Sequence, residues 1–436
     1  MTTIRPQVVR VCSLLLLVSI CVACRNNTHS SIGPAVPNLN VPLVIRATDS
    51  PTDKDSREPE LVTTPDGRLI LSWIEKVAEK RHALRMAMRD ESGWTKTMTV
   101  AQGDNWFVNW ADFPSVIGLS DGSLAAHWLV KSDARTYAYN VNIALSKDGG
   151  KTWTKPIVPH LDNTQTEHGF VSLLPLSNGR VGAIWLDGRN LKGMRDKHDE
   201  DKPSPVSMTL RYGTIDTNGR VSNDVQLDER VCECCQTSAA LTSEGLIAVY
   251  RDRSQTESRD IYSVRYNGSG WTSPQPVYSD NWEINGCPVN GPSVAAEGRN
   301  VVVGWYTGAG GTPHVKAAFS SDGGATFGSP IQIDDGQTQG RVDVLILPDR
   351  SALVCWLSGT PEGGEIKVRR VQANGSLGSP AVIAKTDISR SSGFPRMARL
   401  GNEAFFAWTE FGEPSRIRVA TADISSYKEG VRDKRR

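Results

Sequence analysis

Cysteine is concentrated at two places in the body of the chain. Three of the eight cysteines, Cys232, Cys234 and Cys235, form a C-x-C-C group, and Cys287 follows in a G-C-P-V-N-G-P segment. In an oxidising compartment four such thiols are expected to form two disulfides, whereas as thiolates they suit the soft ions Cu(I) and Zn(II). The C-x-C-C spacing is not a standard zinc pattern. The sequence therefore favours disulfides, with a soft-metal site as the alternative, and predicts a buried thiol at Cys355.

Three arginines precede apolar strands at comparable positions and could hold an anion. Arg57, Arg341 and Arg396 would together bind a carboxylate through charge-assisted, partly bidentate hydrogen bonds. Glu60 and Asp343 stand in the same segments and complete the predicted substrate-binding group. The alternative is that these residues form salt bridges with one another, Arg396 with Glu60 and Asp343 for example, because shielded charges must be paired.

Two aspartates are candidates for proton transfer. Asp112 precedes the apolar strand of residues 114–119, and Asp187 follows the strand that ends at Trp185. Carboxyl groups at such positions could act as general acid or base. Arg251 also follows a strand end and is predicted to bind the same ligand.

The elements that would position these residues form a repeat. Seven apolar segments end in an aromatic residue and recur at intervals of 51 to 65 residues, which is close to the length of a four-stranded propeller blade. The 39 glycines and 24 prolines agree with many turns between short strands. The aromatic residues are Trp73, Trp128, Trp185, Tyr250, Trp305, Trp356 and Trp408. Tyr250 takes the place of a tryptophan, so packing is its expected role.

The repeat predicts how the ring closes. The seventh unit ends after three strands, which would leave an open sheet edge. The remaining segment that reads as a strand, residues 41–47, precedes the first unit. We therefore predict an all-β fold, a seven-bladed β-propeller whose last blade is completed by this N-terminal strand.

Two turns carry a recognisable motif. Ser146-Lys-Asp-Gly-Gly-Lys-Thr-Trp153 and Ser320-Ser-Asp-Gly-Gly-Ala-Thr-Phe327 read S-x-D-x-G-x-x-(W/F). This pattern resembles the Asp box, or BNR repeat, of sialidase-like propellers, and the C-E-C-C group is similar to that of a bacterial subgroup of these proteins. Sialidases have six blades, so the resemblance makes a six-bladed ring the alternative fold.

The resemblance implies an exo-acting glycoside hydrolase that acts on a carboxylated sugar. A sialidase uses a tyrosine nucleophile polarised by a carboxylate, together with an acid, and Tyr306 is the nominated nucleophile with Asp112 or Asp187 as the acid. The Phe-Arg-Ile-Pro signature of the family is replaced by Ser56-Arg57-Glu58-Pro59, which keeps only its Arg and Pro. Two other functions stay open: a non-catalytic propeller that binds a glycan or protein, and an envelope protein whose cysteines handle metal or redox equivalents.

Composition and charge exclude one class of partner. The 49 Lys and Arg residues nearly balance the 48 Asp and Glu residues, giving a formal net charge of +1. Proteins that bind nucleic acid usually carry an excess of positive charge, which this chain lacks, so nucleic acid is not expected as a partner. The sequence implies no organic cofactor.

The N-terminus is typical of an exported protein. Arg5 and Arg10 precede a short apolar run that fits a signal peptide. The run ends Cys21-Val-Ala-Cys24, which resembles a lipobox and predicts a signal peptide over residues 1–23, a lipid on Cys24 and a tether over 24–40. Ordinary cleavage after Ala23 is the alternative. The expected location is the bacterial envelope, anchored by lipid to the outer membrane, with the propeller over 41–426 and a charged tail over 427–436.

Overall fold

The computed structural model describes residue 39 and the ranges 42–193 and 206–425. Within these ranges the chain folds into seven antiparallel sheets, one per repeat unit. The prediction of a seven-bladed propeller is confirmed, and the six-bladed alternative is wrong. The predicted signal peptide, the lipid on Cys24, the tether except residue 39 and the tail lie outside the described residues.

The first strand of the chain belongs to the last blade. β1 (Arg46–Thr48) pairs antiparallel with the final strand of the chain, with Arg46 opposite Thr421. The predicted closing strand is therefore confirmed, although regular pairing covers residues 46–48 rather than 41–47. Leu43 and Ile45 precede it and pack against the buried side chains of the last two blades.

Blades one to three follow in chain order, with their strands in sequence across each sheet except that β5 and β6 both pair with β4 in blade one. Blade one comprises β2 (Ser56–Thr63), β3 (Leu69–Lys76), β4 (His82–Asp90), β5 (Gly93–Trp94) and β6 (Met98–Gly103). Blade two comprises β7 (Ser115–Gly118), β8 (Leu124–Lys131) and β9 (Tyr139–Ser146), with a single bridge from Ile143 to Ile157 at its outer edge. Blade three comprises β10 (His168–Pro175), β11 (Val181–Asp187), β12 (Met208–Ile215) and β13 (Val221–Val231).

Blades four to seven complete the ring. Blade four comprises β14 (Ser238–Thr242), β15 (Gly245–Arg251), β16 (Ile261–Tyr266) and β17 (Gln275–Tyr278). Blade five comprises β18 (Ser293–Glu297), β19 (Asn300–Thr307), β20 (His314–Ser320) and β21 (Ile331–Gln332). Blade six comprises β22 (Thr338–Ile346), β23 (Ala352–Thr360), β24 (Gly363–Val371) and β25 (Ala381–Thr386), and blade seven joins β26 (Arg396–Leu400), β27 (Glu403–Glu410) and β28 (Arg416–Asp423) to β1. Four short 3-10 turns span Ser177–Gly179, Arg189–Leu191, Ala309–Gly311 and Arg390–Ser392.

The core lies between neighbouring blades. The second strand of each blade is apolar because sheets packed on both faces bury both sets of alternating side chains. Trp73, Trp185, Trp305 and Trp356 on these strands are fully buried. Phe406 of blade seven, for example, shares a cluster with Leu353 of blade six. None of the described residues forms a helix long and apolar enough to cross a membrane.

The two S-x-D-x-G turns have the same hydrogen bonds. Asp148 accepts bonds from the backbone N–H and the hydroxyl of Thr152, and the Gly150 N–H donates to Ser146 Oγ. The Ser320 turn repeats each of these contacts. Both turns are therefore stabilised by their own side chains and have a structural role.

Three innermost strands share an irregularity that shapes the site. β2, β10 and β22 each shift register near their beginning, and the residues at the shifts, Glu58, Phe170 and Arg341, have φ of 56°, 53° and 54°. A bulge with a left-handed residue turns a side chain away from the regular pleat. The three residues occupy equivalent positions in their blades. In each of these blades the bulge therefore turns one side chain at the same height along the innermost strand.

Candidate functional site

The hydroxyl of Tyr139 joins two carboxyl groups near this level of the blades. Its oxygen lies 2.8 Å from Glu167 Oε1 and 3.1 Å from Asp112 Oδ2. Asp112 also accepts a 2.7 Å hydrogen bond from the backbone N–H of Phe170. A buried phenol therefore bridges two carboxyl groups from the beginnings of blades two and three.

The local sequence holds this network in place. The ring of Phe107 stacks on the Tyr139 ring with centroids 3.8 Å apart, and a backbone bridge joins Tyr139 to Glu167. Gly169 is required beside them, because a Cβ there would lie 2.1 Å from Asp112 Oδ2. The left-handed Phe170 that follows directs its N–H at Asp112. Glycine and the bulge thus permit the close approach of carboxylate and backbone.

Burial raises the pKa of both carboxyl groups into the neutral range. The pKa of Glu167 rises to about 8, mainly through burial, against a smaller opposing effect of its hydrogen bond with Tyr139. The pKa of Asp112 rises to about 7 for the same first reason, opposed by its bond from the Phe170 N–H. Burial and the two carboxyl groups raise the pKa of Tyr139 well above 10. At neutral pH the network therefore retains an acid that can donate a proton.

The network opens on a small cavity of about 160 Å³. Aromatic rings form much of its wall, and Glu167 and Glu233 supply carboxyl groups to it. Cys234 and Cys287 lie in the same wall. The aromatic residues are Phe107, Trp110, Tyr137, Tyr139 and Phe170.

A larger cavity of about 770 Å³ adjoins the first one, since both are bordered by Asn109, Trp110 and Arg390. Arg57 and Lys76 also line it, together with the carboxyl groups of Asp55, Glu58 and Glu413. The Arg390 guanidinium lies 5.9 Å from the centroid of the Trp110 ring. This second cavity therefore presents several cations beside the aromatic wall of the first.

Arg341 does not offer its guanidinium to a ligand. Its four terminal N–H groups donate to Ser392 Oγ and to the carbonyls of Gly393, Ile388 and Ser389 at 2.7 to 3.0 Å. The side chain is buried and stacks over Trp110 at 4.9 Å. Arg341 thus fixes the segment of residues 388–393.

Arg251 has a similar structural role. It is buried, and its guanidinium donates to the carbonyls of Asn290, Arg259 and Tyr306. The same guanidinium lies 4.9 Å from the ring of Trp282. The predicted contact with a ligand is replaced by a cross-link between blades four and five.

Arg396 forms the salt bridges that the sequence suggested as its alternative role. Its Nη2 lies 2.7 Å from Glu60 Oε1, and its Nη1 lies 3.9 Å from Asp343 Oδ1. All three residues line a central space of about 480 Å³, whereas Arg57 lines the 770 Å³ cavity. The three arginines that were predicted to converge on one carboxylate therefore serve three different places.

The other predicted catalytic residues lie apart from the Tyr139 hydroxyl. Tyr306 packs edge-on against Trp282 with centroids 5.5 Å apart, and its backbone carbonyl accepts a bond from Arg251. Asp187 is fully buried and ion-paired to Arg189 at 2.7 Å. Burial opposes ionisation of Asp187, but hydrogen bonds from Arg189 and Trp185 and the nearby His168 together lower its pKa. Of the three, Asp112 is the residue that the structure brings into the network.

A second polar cluster surrounds Asp187. The rings of His160 and His168 stack with centroids 3.7 Å apart, and each approaches Asp162 Oδ1, at 3.2 and 3.3 Å. The His160, Asp162 and His168 donor atoms are close enough to share an ion. Arg189 already supplies a cation to Asp187 and reaches Asp162 at 3.7 Å.

Three of the four cysteines form a close cluster, and Cys287 lies beside it. The sulfur atoms of Cys232, Cys234 and Cys235 lie within 4.8 Å of one another, and the thiol of Cys287 interacts with that of Cys234. The Cys232 sulfur is 3.8 Å from that of Cys234 and 3.3 Å from that of Cys235. All four are free thiols in the structure, so the expected disulfides are not formed there. Burial opposes ionisation of Cys232, but its neighbouring thiols and Arg259 lower its pKa well below the usual range.

Sequence reasoning missed Tyr139 and Glu233 as site residues. Tyr139 begins the third strand of blade two, and Glu233 stands inside the C-E-C-C group. Their position in the repeat could have indicated them, because both lie at the ends of the blades where Asp112 and Glu167 also lie.

The resemblance of the chain to known proteins is limited to solved structures of low sequence identity. No family model matches the chain, and no curated protein sequence matches it. Among solved structures, a protein of unknown function from Dyadobacter fermentans has a TM-score of 0.49 at 15% identity, over 88% of this chain and 98% of that one. The NanB sialidase of Streptococcus pneumoniae has a TM-score of 0.42 at 13% identity, over 87% and 70%.

A third similar structure is the alpha-L-arabinofuranosidase of Fusarium graminearum in complex with arabinobiose. Its TM-score is 0.46 at 12% identity, over 89% of this chain and 99% of that one. We therefore assign the fold from the strand pairing of this chain, and the chemistry of its site from its own side chains.

Proposed function

We propose that the chain is a glycoside hydrolase that acts on a carboxylated sugar, with Glu167 as its general acid. One observation carries this proposal: the Glu167 carboxyl is hydrogen-bonded to Tyr139, opens on an aromatic cavity, and has a pKa raised to about 8 by burial. A glycosidase acid must be protonated at working pH so that it can protonate the leaving oxygen.

The hydrogen bonds suggest how the proton is held. Tyr139 has one hydroxyl proton for two carboxyl neighbours, so a protonated Glu167 can donate to the phenol oxygen while the phenol donates to Asp112. The Phe170 N–H favours the ionised form of Asp112, because it donates to that carboxylate. Asp112 and Tyr139 thereby position the acid and form a route by which its proton can be replaced.

Glu233 is the proposed partner of this acid. It faces the same cavity, and its Oε1 lies 2.7 Å from Arg253 Nη1. An adjacent guanidinium favours a carboxylate, whereas burial favours the neutral form of Glu167. Two carboxyl groups held in different protonation states are what acid–base cleavage of a glycosidic bond requires.

The adjoining cavity supports a carboxylated substrate. Arg57, Lys76 and Arg390 line it, and cations bind carboxylates through charge-assisted bonds. Trp110 lies at the border with the catalytic cavity and offers an apolar ring face to a sugar. This arrangement supports binding of a substrate carboxylate beside, rather than within, the acidic cavity.

The test is turnover of fluorogenic sialosides and uronic-acid glycosides by the wild-type protein and by Glu167→Gln. We expect the variant to lower kcat about 100-fold or more with little change in KM, because it removes the transferable proton and keeps the shape. The matched control is Glu229→Gln, which alters an exposed carboxylate of β13 and should leave both constants unchanged.

Tyr139→Phe provides a second arm of this test. Once Glu167 has lost its proton the phenol can donate to the resulting carboxylate, which lowers the pKa of Glu167. Removal of the phenol should therefore move the alkaline limb of the kcat profile to higher pH. A fall in activity without that shift would contradict the positioning role. Binding of these sugars without turnover by the wild-type protein would overturn the hydrolase and leave a glycan-binding propeller.

A further inference from the structure

The cysteine cluster has the composition and spacing of a soft-metal site. The sulfur atoms of Cys232, Cys234 and Cys235 lie within 4.8 Å of one another, and Cys287 from the beginning of the next blade contacts Cys234. In a tetrahedral thiolate site with metal–sulfur bonds of about 2.3 Å, neighbouring sulfur atoms are about 3.8 Å apart. The distances of 3.8 and 3.3 Å from Cys232 are near this value.

Buried positive charge surrounds these sulfur atoms. Arg259 donates from Nη1 to Cys232 Sγ at 3.3 Å. Arg251 donates to backbone carbonyls, which are neutral, so its charge is available to neighbouring thiolates. Nearby guanidinium groups favour the thiolate form that binds metal. They also offset the negative charge that several thiolates retain around a single ion.

The cluster is closed on one side and open on the other. Cys232 and Cys235 are buried, whereas Cys287 is exposed. Cys234 and Cys287 line the 160 Å³ cavity that also contains Glu167. An ion can therefore reach the buried sulfur atoms through the cavity, without opening the blades.

We propose that Cys232, Cys234, Cys235 and Cys287 bind one soft metal ion, Cu(I) or Zn(II), at the wall of the candidate active site. Thiolates select these ions over the harder Mg²⁺ and Ca²⁺. The ion joins the loops that begin blades four and five. The proposal is independent of hydrolysis, because it depends on the four sulfur atoms alone.

The test titrates the reduced mature protein with Cu(I) and Zn(II) separately, without oxygen, against a chromophoric chelator. We expect one equivalent of at least one ion to bind with a dissociation constant below 1 µM, roughly the range of stable thiolate sites. Cys234→Ser should weaken binding at least 100-fold, and Cys287→Ser at least tenfold. X-ray absorption should show sulfur ligands, and competition between the two ions identifies the preferred one.

Two controls separate a lost ligand from a lost fold. Cys355→Ala removes a buried thiol of β23 and should bind metal like the wild type. Cys287→Ser alters an exposed residue, so its circular dichroism should be unchanged. Glu167→Gln should abolish turnover and leave metal binding intact, which distinguishes this proposal from the hydrolase.

Several results would overturn the site. Binding of neither ion to the reduced protein would do so, as would wild-type affinity in both serine variants. Mass spectrometry of protein taken directly from the bacterial envelope provides an independent check. Disulfides joining all four cysteines in that protein would show that the cluster is a covalent staple between the two loops.

Discussion

Arg341 and Arg396 lie near the beginnings of the innermost strands of blades six and seven but stabilise the molecule in different ways. Arg341 donates hydrogen bonds to one serine hydroxyl and three backbone carbonyls, whereas Arg396 forms ion pairs with Glu60 and Asp343. In the sequence both are an arginine ahead of an apolar strand. The acceptor that a guanidinium finds depends on loops folded far away in the chain.

Replacing Arg341 tests its structural role. In Arg341→Met the aliphatic volume is kept, but the carbonyls of Ile388, Ser389 and Gly393 lose their donor. The bond to Gly393 is buried and those to Ile388 and Ser389 are part-buried, so we expect their loss to lower the free energy of unfolding by about 2 kcal/mol. Urea unfolding measures the change. Arg57→Met, at the border of the larger cavity, should change stability by less than about 1 kcal/mol; equal losses in both variants would contradict the assigned role.

The site could be predicted from the sequence only in part. Asp112 was recognisable because a carboxyl at the beginning of a strand is a common position for chemistry, and it lies in the Tyr139 network. Tyr139 itself gave no pattern, since a tyrosine beginning an alternating strand is also typical of packing. Its role depends on Glu167 of the next blade and on the bulge after Gly169, neither of which spacing along the chain reveals.

At the scale of the strands, closure of the ring depends on a short element. β1 contributes three paired residues to the edge of β28. The preceding residues alternate, with Leu43 and Ile45 packed against blades six and seven and Val44 59% exposed. The alternation was legible in the sequence, but the extent of the pairing was not, because it depends on how far β28 reaches.

Matched substitutions in this segment test the closure. Ile45→Asp should lower the free energy of unfolding by about 2 kcal/mol, because it places a charge against an apolar cluster and removes buried area. Val44→Asp makes the same chemical change on the exposed face and should have an effect within about 0.5 kcal/mol. Thermal unfolding of both variants provides the measurement. Similar losses in the two would show that residues 43–45 do not pack as described.

At the scale of the whole molecule, the seven-fold repeat was predictable because each blade needs the same apolar second strand. The predicted aromatic segments coincide with β3, β8, β11, β15, β19, β23 and β27. The contents of the centre were less predictable, since a repeat fixes the angular position of a residue but not its depth or its partner. The centre contains many buried carboxyl groups, so the stability of the propeller should depend on pH.

Burial raises the pKa of Glu58 and Glu167 to about 8, and that of Asp112, Glu60 and Asp252 to about 7. Such a group binds a proton in the folded state at pH values where the unfolded chain has lost it. Its contribution is therefore complete below the unfolded pKa of about 4 and is lost as the pH rises through the folded pKa. Buried histidines act in the opposite direction, since burial lowers the pKa of His127 to about 3. The stability that a buried neutral histidine contributes is complete above its unfolded pKa of about 6.5. Between pH 6.5 and 8 the free energy of unfolding therefore changes because of the carboxyl groups and not because of the histidines.

Glu58→Gln isolates one member of this set. Glu58 is 6% exposed, and besides burial the nearby Asp112 raises its pKa while Arg57 lowers it. The wild-type free energy of unfolding should fall more steeply between pH 6.5 and 8 than that of the variant, by on the order of 1 kcal/mol per pH unit. The comparison of slopes removes the contribution of Cys232 and of every other group that both proteins share. Urea unfolding at several pH values measures the slopes, and Glu229→Gln, an exposed change, should reproduce the wild type. Parallel slopes for wild type and Glu58→Gln would mean that Glu58 is ionised in the folded protein across this range, and that the centre of the propeller is more solvated than its packing indicates.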